Sequence, residues 1–596
     1  MPRSRFLATL ISLMMVALFG CDQDEASSVS SEEVTPLVAS GPNQSLEMTT
    51  IAQPVKRLSA GAEETSAQFA NVAHQSGLDF IYDRGSYGDA LMSEAIGGGV
   101  GWLDYDLDGL MDLVLVQGGN PIERESNLSD QLFRHLSNDS FQPISAAASG
   151  IHEHEYGQGV GIADFNNDGF DDVYITNIGQ NQLWQNQGDG TFHEVTSEAG
   201  VEGAQLWSTS CAWGDLNKDG NLDLFVCNYL NYDPNAPVPC FDAQGKKSTC
   251  DPNEIDPVPN DCYLNSGDGQ FEQIATSSGL RSEGSKSLGV VIADFDNDQL
   301  PDIFVSNDTT SNFLYMAQSK LFYSEEAIVR GCAMSGLGNN QASMGVAFGD
   351  YNQDGRFDLY VTHFEDDSNT LYENLGNALF RDVTRPVGLH LATVPHLGFG
   401  TVMADFNLNG QQDLFIANGH IDDWSSQGKP WKMPAQLFSF QDPEWVELSH
   451  RAGDYFTENK LGRGVASCDY DRNGTIDLVV VNQDEETALL KNVSPSVGHA
   501  VQIELIGRES NRTGIGTRIN VTQDNQSWVS ELAGGTSYCS SHDHCINVGI
   551  GKNRQPCQIQ IRWPSGIEET LDHIDVGQRV TVIEGSGVVR TQRFEE

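Results

Sequence analysis

Seven short acidic loops share one pattern of residue types, and each could bind a hard metal ion. Their first residues are Asp104, Asp164, Asp215, Asp294, Asp350, Asp405 and Asp469. Positions 3 and 5 of every loop are Asp or Asn, and position 9 is always Asp. Ca²⁺ takes about six to eight oxygen ligands in a flexible geometry. Carboxylates and amides at alternate positions of a tight loop can therefore converge on one ion, and we expect up to seven Ca²⁺ sites.

Each site is expected to use the side chains at positions 1, 3, 5 and 9 and the backbone carbonyl at position 7. Position 6 is Gly in six loops, as a sharp turn requires, whereas loop four carries Gln299 there. Loop six has two carboxylates among its four side chains, so we expect it to bind most weakly. The predicted ligands are Asp104, Asp106, Asp108, Leu110, Asp112; Asp164, Asn166, Asp168, Phe170, Asp172; Asp215, Asn217, Asp219, Asn221, Asp223; Asp294, Asp296, Asp298, Leu300, Asp302; Asp350, Asn352, Asp354, Arg356, Asp358; Asp405, Asn407, Asn409, Gln411, Asp413; and Asp469, Asp471, Asn473, Thr475, Asp477.

These loops differ from EF-hands, which close with a Glu at position 12 between two helices. Position 12 is Leu115 in the first loop and Ile175 in the second, and β-branched and aromatic runs follow every loop. Such runs predict strands, so each loop should connect the two strands of a hairpin. The alternative is an acidic turn without metal, which seven similar copies in one chain disfavour.

A second motif predicts the remaining strands of each unit. It is Leu183-Trp-Gln-Asn-Gln-Gly-Asp-Gly-Thr-Phe192 in one copy, and Phe192-His-Glu-Val continues it as a further strand. Four strands in roughly 60 residues, repeated in series, predict an all-β, seven-bladed propeller. The last unit lacks the Phe-x-x-Val strand, which occurs instead near the N-terminus within residues Phe69 to Leu78. We expect that segment to pair beside Leu489–Lys491 and close the ring.

The repeats resemble FG-GAP/VCBS repeats, the calcium-loop blades also found in integrin α-chains. The C-terminal part resembles the ASPIC/UnbV domain, through Ser510-Asn-Arg-x-Gly-Ile-Gly516, Gly534-Gly535, Gly549-Ile-Gly551 and Trp563-Pro-Ser-Gly566. Together they resemble bacterial proteins related to cartilage acidic protein 1. The resemblance implies the propeller fold, bound calcium and an extracytoplasmic location. It implies no defined reaction.

The predicted organisation is that of a lipid-anchored envelope protein. Residues 1–20 read as a lipoprotein signal peptide, with a basic start and an apolar stretch that ends at Cys21, the expected lipidation site. Residues 21–65 are expected to be a disordered tether, 66–494 the propeller, 495–585 an ASPIC/UnbV-like β domain and 586–596 a tail. A net charge of −51 argues against nucleic acid as a partner.

The ten cysteines after Cys21 could form disulfides in an oxidising compartment. Cys211 and Cys227 flank loop three at equal distances, and a bond between them is one possibility. A Cys539–Cys545 bond is another, and one local pair is expected among Cys240, Cys250 and Cys262. Cys332 and Cys468 read as small buried hydrophobes.

We expect a binding, adhesion or scaffolding protein for a glycan or a protein, and not an enzyme. Propellers present large faces built from loops, and no catalytic motif stands out from the abundant carboxylates. The alternative is a polysaccharide-active enzyme that uses the propeller as a scaffold. A purely structural surface protein is a third reading, and the oligomeric state stays open.

Overall fold

The computed structural model describes residues 66–594, apart from residues 87, 89, 120–127, 153–154, 204–205, 237, 243–244, 282 and 496–497. The expected signal peptide, the lipidation site Cys21 and the tether lie outside the described residues. The described strands form nine four-stranded sheets. None of the helices in this part of the chain has the length and apolar character needed to cross a bilayer.

Seven of the sheets are antiparallel and form the blades of a propeller, which confirms the predicted fold class. The first strand of the described residues, β1 (Phe69–Asn71), belongs to the last blade. Blades 1 to 3 contain β2 (Val100–Leu103), β3 (Asp112–Leu115), β4 (Gln131–Leu136) and β5 (Ser140–Ile144); β6 (Tyr156–Ala163), β7 (Asp172–Ile178), β8 (Gln182–Asn186) and β9 (Phe192–Glu194); and β10 (Ser208–Gly214), β11 (Asp223–Asn228), β12 (Asp261–Asn265) and β13 (Phe271–Gln273). Blades 4 to 6 contain β14 (Ser287–Ala293), β15 (Asp302–Asn307), β16 (Phe313–Ser319) and β17 (Phe322–Glu325); β18 (Ser343–Gly349), β19 (Asp358–His363), β20 (Thr370–Asn374) and β21 (Phe380–Asp382); and β22 (Gly398–Ala404), β23 (Asp413–Asn418), β24 (Gln436–Gln441) and β25 (Glu444–Glu447). Blade 7 contains β26 (Gly462–Cys468), β27 (Asp477–Asn482), β28 (Ala488–Asn492) and β1.

The first strands of neighbouring blades contact one another in a closed ring, with β26 beside β2. Small residues permit this close approach. A Cβ atom at Gly345 of β18 would lie 2.2 Å from the carbonyl oxygen of Phe399 in the next blade, so a larger residue would separate the two strands. The acidic loops join first to second strands, as predicted, and all lie on one face, here called the acidic face. Loops between second and third strands lie on the opposite face.

The predicted ring closure is confirmed. In blade 7, β1 pairs antiparallel with β28, with Phe69 opposite Asn492 and Asn71 opposite Leu490. The Phe69 ring packs against Phe406 and Phe456, with centroid distances of 5.4 and 5.9 Å. Both ends of the propeller therefore belong to one sheet and one hydrophobic cluster.

Short helical turns follow the outer strands or lie within loops. The α-helical turns are α1 (Ala146–Ser149), α2 (Thr196–Ala199), α3 (Ala275–Ser278), α4 (Ala327–Arg330) and α5 (His390–Thr393), and the 3₁₀ turns are Met92–Ala95, Pro252–Glu254, Ser425–Gln427, Ser449–Arg451 and Asp454–Thr457. The turns α1 to α4 each end at a glycine in the left-handed region. Gly ends them because it adopts this conformation without a steric penalty.

The remaining two sheets form the C-terminal domain. Its strands are β29 (His499–Ile506), β30 (Arg518–Gln523), β31 (Gln526–Glu531), β32 (Ile546–Gly551), β33 (Cys557–Arg562), β34 (Glu568–Ile574), β35 (Gln578–Ile583) and β36 (Gly587–Arg593). The sheet orders are β32-β29-β35-β36, in which β29 and β35 run parallel, and β31-β30-β33-β34. The predicted tail boundary at residue 586 is wrong, because β36 completes the first sheet by pairing with β35.

Three expectations about cysteines have different outcomes. Cys240 and Cys250 form a disulfide, which confirms one local pair in that region. Cys332 and Cys468 are free and buried, as expected. The Cys211–Cys227 bond is a wrong prediction. Both thiols are free, because Cys211 pairs with Val226, and the two side chains enter different hydrophobic clusters on opposite faces of the sheet.

The Cys539–Cys545 bond is also absent from the described chain. Cys539 is fully buried within the propeller, whereas Cys545 lies at the start of β32, and both are free thiols. The insertion in blade 3 is partly exposed and partly packed against the propeller. Val238 and Phe241 are exposed, whereas Cys250 and Ile255 pack in one cluster with Trp207 and Tyr229.

Candidate metal centres

All seven acidic loops adopt one hydrogen-bonded conformation. The carboxylate at position 1 accepts a hydrogen bond from the backbone N–H of position 6 in each loop, at 2.7 to 3.0 Å. In loop one, for example, Gly109 donates to Asp104. The backbone of each loop thus bends around its position 1 carboxylate.

The position 9 aspartates link the loops to the sheets. They are Asp112, Asp172, Asp223, Asp302, Asp358, Asp413 and Asp477, and each exposes at most 1% of its surface. Asp358 accepts hydrogen bonds from the N–H groups of Tyr351 in its own loop and Asn374 at the end of the third strand. Burial raises the pKa of all seven carboxyl groups in the metal-free geometry, that of Asp112 to about 8.

The oxygen atoms present fit a divalent cation. In loops one, four and seven, carboxylate oxygens of three aspartates lie within 4.8 Å of one another: Asp104, Asp106 and Asp108; Asp294, Asp296 and Asp302; Asp469, Asp471 and Asp477. Within the described chain, one buried oxygen on each of Asp104, Asp413, Asp469 and Asp477 has no hydrogen-bond partner. Buried anionic oxygens without a donor are costly, and a bound cation would satisfy them.

Two features of the loops were not predicted from the sequence. Position 4 is in the left-handed region in all seven loops, with φ between 54° and 62°, and its residues are Leu107, Asn167, Lys218, Asn297, Gln353, Leu408 and Arg472. Because the residue types at position 4 differ from loop to loop, the sequence did not indicate this left-handed conformation. In loop four, Gln299 adopts φ +74°, so this loop keeps the common turn without the glycine.

The second unpredicted feature is an asparagine that ends the third strand in four blades. Its side-chain N–H₂ group donates to the position 2 carbonyl in the preceding blade's loop: Asn186 to Tyr105, Asn265 to Phe165, Asn374 to Phe295, and Asn492 to Phe406, at 2.8 to 2.9 Å. The same groups also donate within their own blades. Neighbouring acidic loops are therefore joined in pairs. The recurrence of Asn in the second motif was the signal that could have revealed this role.

The C-terminal domain covers the acidic face. The contacts reach loops two to seven: the N–H of Arg512 donates to Asn167, Glu509 packs against Gly220, Arg562 pairs with Asp294 at 2.6 Å, Arg518 donates to the carbonyl of Gly355, Trp528 to that of Gly410, and Asn547 to that of Gly474. Most of these contacts are made to backbone atoms of the loops. Docking therefore depends on the conformation of the loops.

One segment of the C-terminal domain enters the propeller axis. This channel loop, residues 532–545, connects β31 to β32 and pairs with first strands through Gly534–Ile292, Ser537–Val346 and Ser541–Gly101. At its tip Tyr538 is fully buried, and its hydroxyl accepts a hydrogen bond from the N–H of Gly97 at 3.4 Å. The axis is thus filled by protein.

Two histidines, His542 and His544, lie in the channel loop. Nδ1 of His542 accepts a hydrogen bond from the N–H of Ser467, which ties the loop to β26. Neither His542 nor His544 belongs to a cluster of potential metal ligands within the described residues. We therefore assign His542 to docking of the C-terminal domain.

Comparisons with known proteins give a consistent result. The FG-GAP-like repeat model matches residues 104–175, 164–226, 254–305 and 350–416, and the ASPIC and UnbV model matches residues 507–589. Cartilage acidic protein 1 of Homo sapiens is 23% identical over 501 residues, which cover 78% of this chain and 69% of that protein. The Mus musculus protein is 22% identical over 500 residues, covering 78% of this chain and 70% of that protein.

Solved structures show more distant similarity. YCF48 bound to a D1 peptide aligns with a TM-score of 0.37 and 6% identity, covering 66% of this chain and 91% of that one. A lectin from Agrocybe aegerita that recognises non-reducing terminal N-acetylglucosamine aligns with a TM-score of 0.36 and 12% identity, covering 65% of this chain and 86% of that one.

Proposed function

Because the chain is an FG-GAP-repeat protein with a C-terminal ASPIC/UnbV domain, related to cartilage acidic protein 1, we propose that it is a calcium-binding scaffold of the bacterial cell envelope. Its seven loops bind Ca²⁺, Cys21 carries a lipid anchor on the extracytoplasmic side, and the propeller binds a glycan or a protein partner without chemically changing it. Calcium acts here as a structural ion that holds the loop conformation.

One observation carries this proposal: six of the seven acidic loops lie beneath the C-terminal domain, which contacts backbone carbonyls of loops five, six and seven and side-chain oxygens of Asn167 and Asp294. Loops covered in this way support a structural ion better than a catalytic centre, which needs an open position for substrate. Since metal binding favours the folded state by mass action, calcium should also favour domain docking.

Calcium binding is tested on the soluble chain 22–596, which lacks Cys21. We expect metal analysis after dialysis to give several tightly bound Ca²⁺ per chain, and EGTA to lower the midpoint of thermal unfolding. A matched variant, Asp358→Asn, should lose the ion of loop five and leave the others. A protein that holds no calcium at millimolar concentrations, about the range of extracellular modules, would contradict the proposal.

The binding role is tested by incubating the same chain with envelope and extracellular glycans and with envelope extracts, in calcium and in EGTA. We expect calcium-dependent retention of a partner without new reducing ends. New reducing ends would support the polysaccharide-active enzyme instead. The anchor is tested separately: Cys21→Ser should release the full-length protein from the membrane fraction and abolish incorporation of labelled fatty acid.

A further inference from the structure

A cleft of about 420 Å³ opens on the face opposite the acidic loops. Three segments line it: the chain before blade 1, through Arg84, Ser86, Gly88, Ala90 and Glu94; the disulfide-closed loop of blade 3, through Asp242 and Lys246–Ser248; and the loop between β23 and β24, through residues 422–424, 426, 427 and 431. Its volume lies within the range of about 300–1,000 Å³ typical of small-molecule sites. The C-terminal domain, which covers the acidic face, leaves this face free.

Contacts between the three segments hold the cleft in a defined shape. Asp422 accepts hydrogen bonds from the hydroxyl of Ser248 at 3.2 Å and from the N–H and hydroxyl of Thr249 at 2.9 and 2.8 Å. The Arg84 guanidinium pairs with Asp484 at 2.6 Å and lies 5.2 Å from the ring centroid of Trp431. Because these residues are already ordered before a ligand binds, binding loses little conformational entropy of the site.

The side chains of the cleft combine aromatic rings with hydrogen-bonding groups. Trp424 and Trp431 are both half-buried, so part of each indole faces solvent. Ser86, Glu94, Ser426 and Gln427 supply hydroxyl, carboxylate and amide groups around them. Charge is nearly balanced, with three cationic residues (Arg84, Lys246, Lys247) against four anionic ones (Glu94, Asp242, Asp422, Asp423).

This combination matches a neutral sugar. A pyranose ring has one face of C–H groups that stacks on an indole and a rim of hydroxyls that bind carboxylates, amides and serines. Near-balanced charge favours a neutral ligand over a strongly anionic one. The lining residues belong to loops and turns, so a peptide could not bind here by adding a strand to a sheet edge.

We propose that this cleft binds a neutral pyranose unit of a glycan, with Trp424 and Trp431 as the stacking surfaces. The assignment rests on the proposed binding function and gives it a ligand class and a site. Arg84 positions Trp431, and Asp422 holds the disulfide-closed loop over the cleft.

The test measures retention of the soluble chain 22–596, in calcium, on neutral hexose and N-acetylhexosamine oligosaccharides, on uronic-acid oligosaccharides and on a peptide library. The best-retained oligosaccharide is then titrated by calorimetry. Trp431→Ala removes a stacking surface, and Ser426→Tyr fills the cleft from an exposed position without disturbing the packing below it. Ser319→Tyr, at an exposed position in β16, is the matched control.

We expect neutral oligosaccharides to be retained, both cleft variants to weaken binding by about tenfold or more, and the control to bind as the unsubstituted protein does. Ser426→Tyr keeps the test valid if Trp431→Ala fails to fold. A glycan that binds all variants equally overturns the cleft assignment and leaves the binding function standing. Retention of uronic-acid oligosaccharides or peptides alone, or of no probe, overturns the neutral-sugar assignment, and new reducing ends overturn the proposed function itself.

Discussion

At the scale of single residues, the acidic loops place positions 4 and 6 in the left-handed region. Gly occupies position 6 in six loops because it carries no Cβ penalty there, whereas loop four has Gln299 at φ +74°. An L-residue pays about 1–2 kcal/mol for this conformation. Gln299 is tolerated because its N–H still donates to Asp294 at 3.0 Å.

Replacing Gln299 by Gly should stabilise the protein by about 0.5–1 kcal/mol, since the strain removed exceeds the extra entropy of Gly in the unfolded chain. The midpoint of thermal unfolding in saturating calcium should rise. Gly355→Ala is the control, because φ there is +84° and an added Cβ meets nothing within 4 Å. Gly355→Ala should lower the free energy of unfolding by about 1 kcal/mol. A lower midpoint for Gln299→Gly would contradict the strain argument.

The position 1 carboxyl groups predict how metal-free stability depends on pH. Burial raises their pKa from the ordinary 3.8 to about 7 in Asp104, Asp164, Asp405 and Asp469, and to about 6 in Asp215 and Asp350. The folded metal-free protein therefore binds more protons than the unfolded chain between about pH 4 and pH 7. Its stability should fall as pH rises through this window.

The measurement is thermal unfolding at pH 5 and pH 7.5, in EGTA and in calcium. We expect the midpoint in EGTA to be lower at pH 7.5, and the stabilisation by calcium to be larger there, because the ion replaces the protons. Calorimetry in two buffers near pH 6 should detect proton release on calcium binding. An EGTA midpoint that rises with pH would show that these carboxyl groups are ionised in the metal-free fold.

Residue spacing predicted the loop side chains well, because one hydrogen-bonding pattern repeats seven times and each copy supports the others. Pairing of cysteines was predicted less well. Equal distances from loop three suggested that Cys211 faces Cys227, but the loop places Gly214 opposite Asp223, so Cys211 pairs with Val226 and the two thiols lie on opposite faces of the sheet. The register with which a loop joins its two strands cannot be read from the spacing of the cysteines.

At the scale of the element, the asparagine at the end of a third strand connects two blades. Asn374 is fully buried, and its side chain donates to the carbonyls of Phe295 in loop four and Phe357 in loop five. Both carbonyls lie next to predicted calcium ligands. The acidic loops therefore do not act as separate hairpin turns.

Asn374→Ala should destabilise the protein by about 2–4 kcal/mol, because two buried carbonyls lose their donor. Calcium affinity should fall in loops four and five together. Glu373→Ala is the matched control on the preceding residue, whose carboxylate pairs with the exposed Arg381 and contributes little. An equal loss of unfolding free energy in both variants would contradict the link between blades.

Loop six tests whether ligand charge sets the order of affinity. Its side-chain set contains Asp405 and Asp413 with Asn407 and Asn409, so we expect its ion to dissociate first in an EGTA titration followed by native mass spectrometry. Asn409→Asp adds a carboxylate and should delay that loss. Asn352→Asp, in loop five, should leave the first step unchanged. If Asn409→Asp has no effect, burial under the C-terminal domain controls release.

At the scale of the whole molecule, the propeller and the C-terminal domain share buried surface along the axis. Tyr538 lies at the tip of the channel loop. Its ring is 5.1 Å from that of Phe399 and close to the buried Arg463. This docking was not predicted. Each domain has its own sequence pattern, but the complementarity between two domains is not periodic and cannot be recognised in one chain.

Tyr538→Ala should destabilise the protein by about 3–5 kcal/mol, as expected for a large cavity, and should lower a single thermal transition that includes both domains. Tyr538→Phe, which removes one long hydrogen bond, should stay within about 1 kcal/mol. Scanning calorimetry distinguishes the outcomes. Two transitions, with the propeller unaffected by Tyr538→Ala, would mean that the domains unfold independently.

The pairing of β1 with β28 has a consequence for the order of folding during synthesis. Phe69 leaves the ribosome long before Asn492, its partner 423 residues later in the chain. Six blades can assemble in sequence as they emerge, while the earliest strand must wait unpaired for the latest one. Any chain interrupted before β28 keeps an exposed apolar strand and an open ring, which quality-control proteases can recognise. The seventh blade thus reports that synthesis of the propeller has been completed.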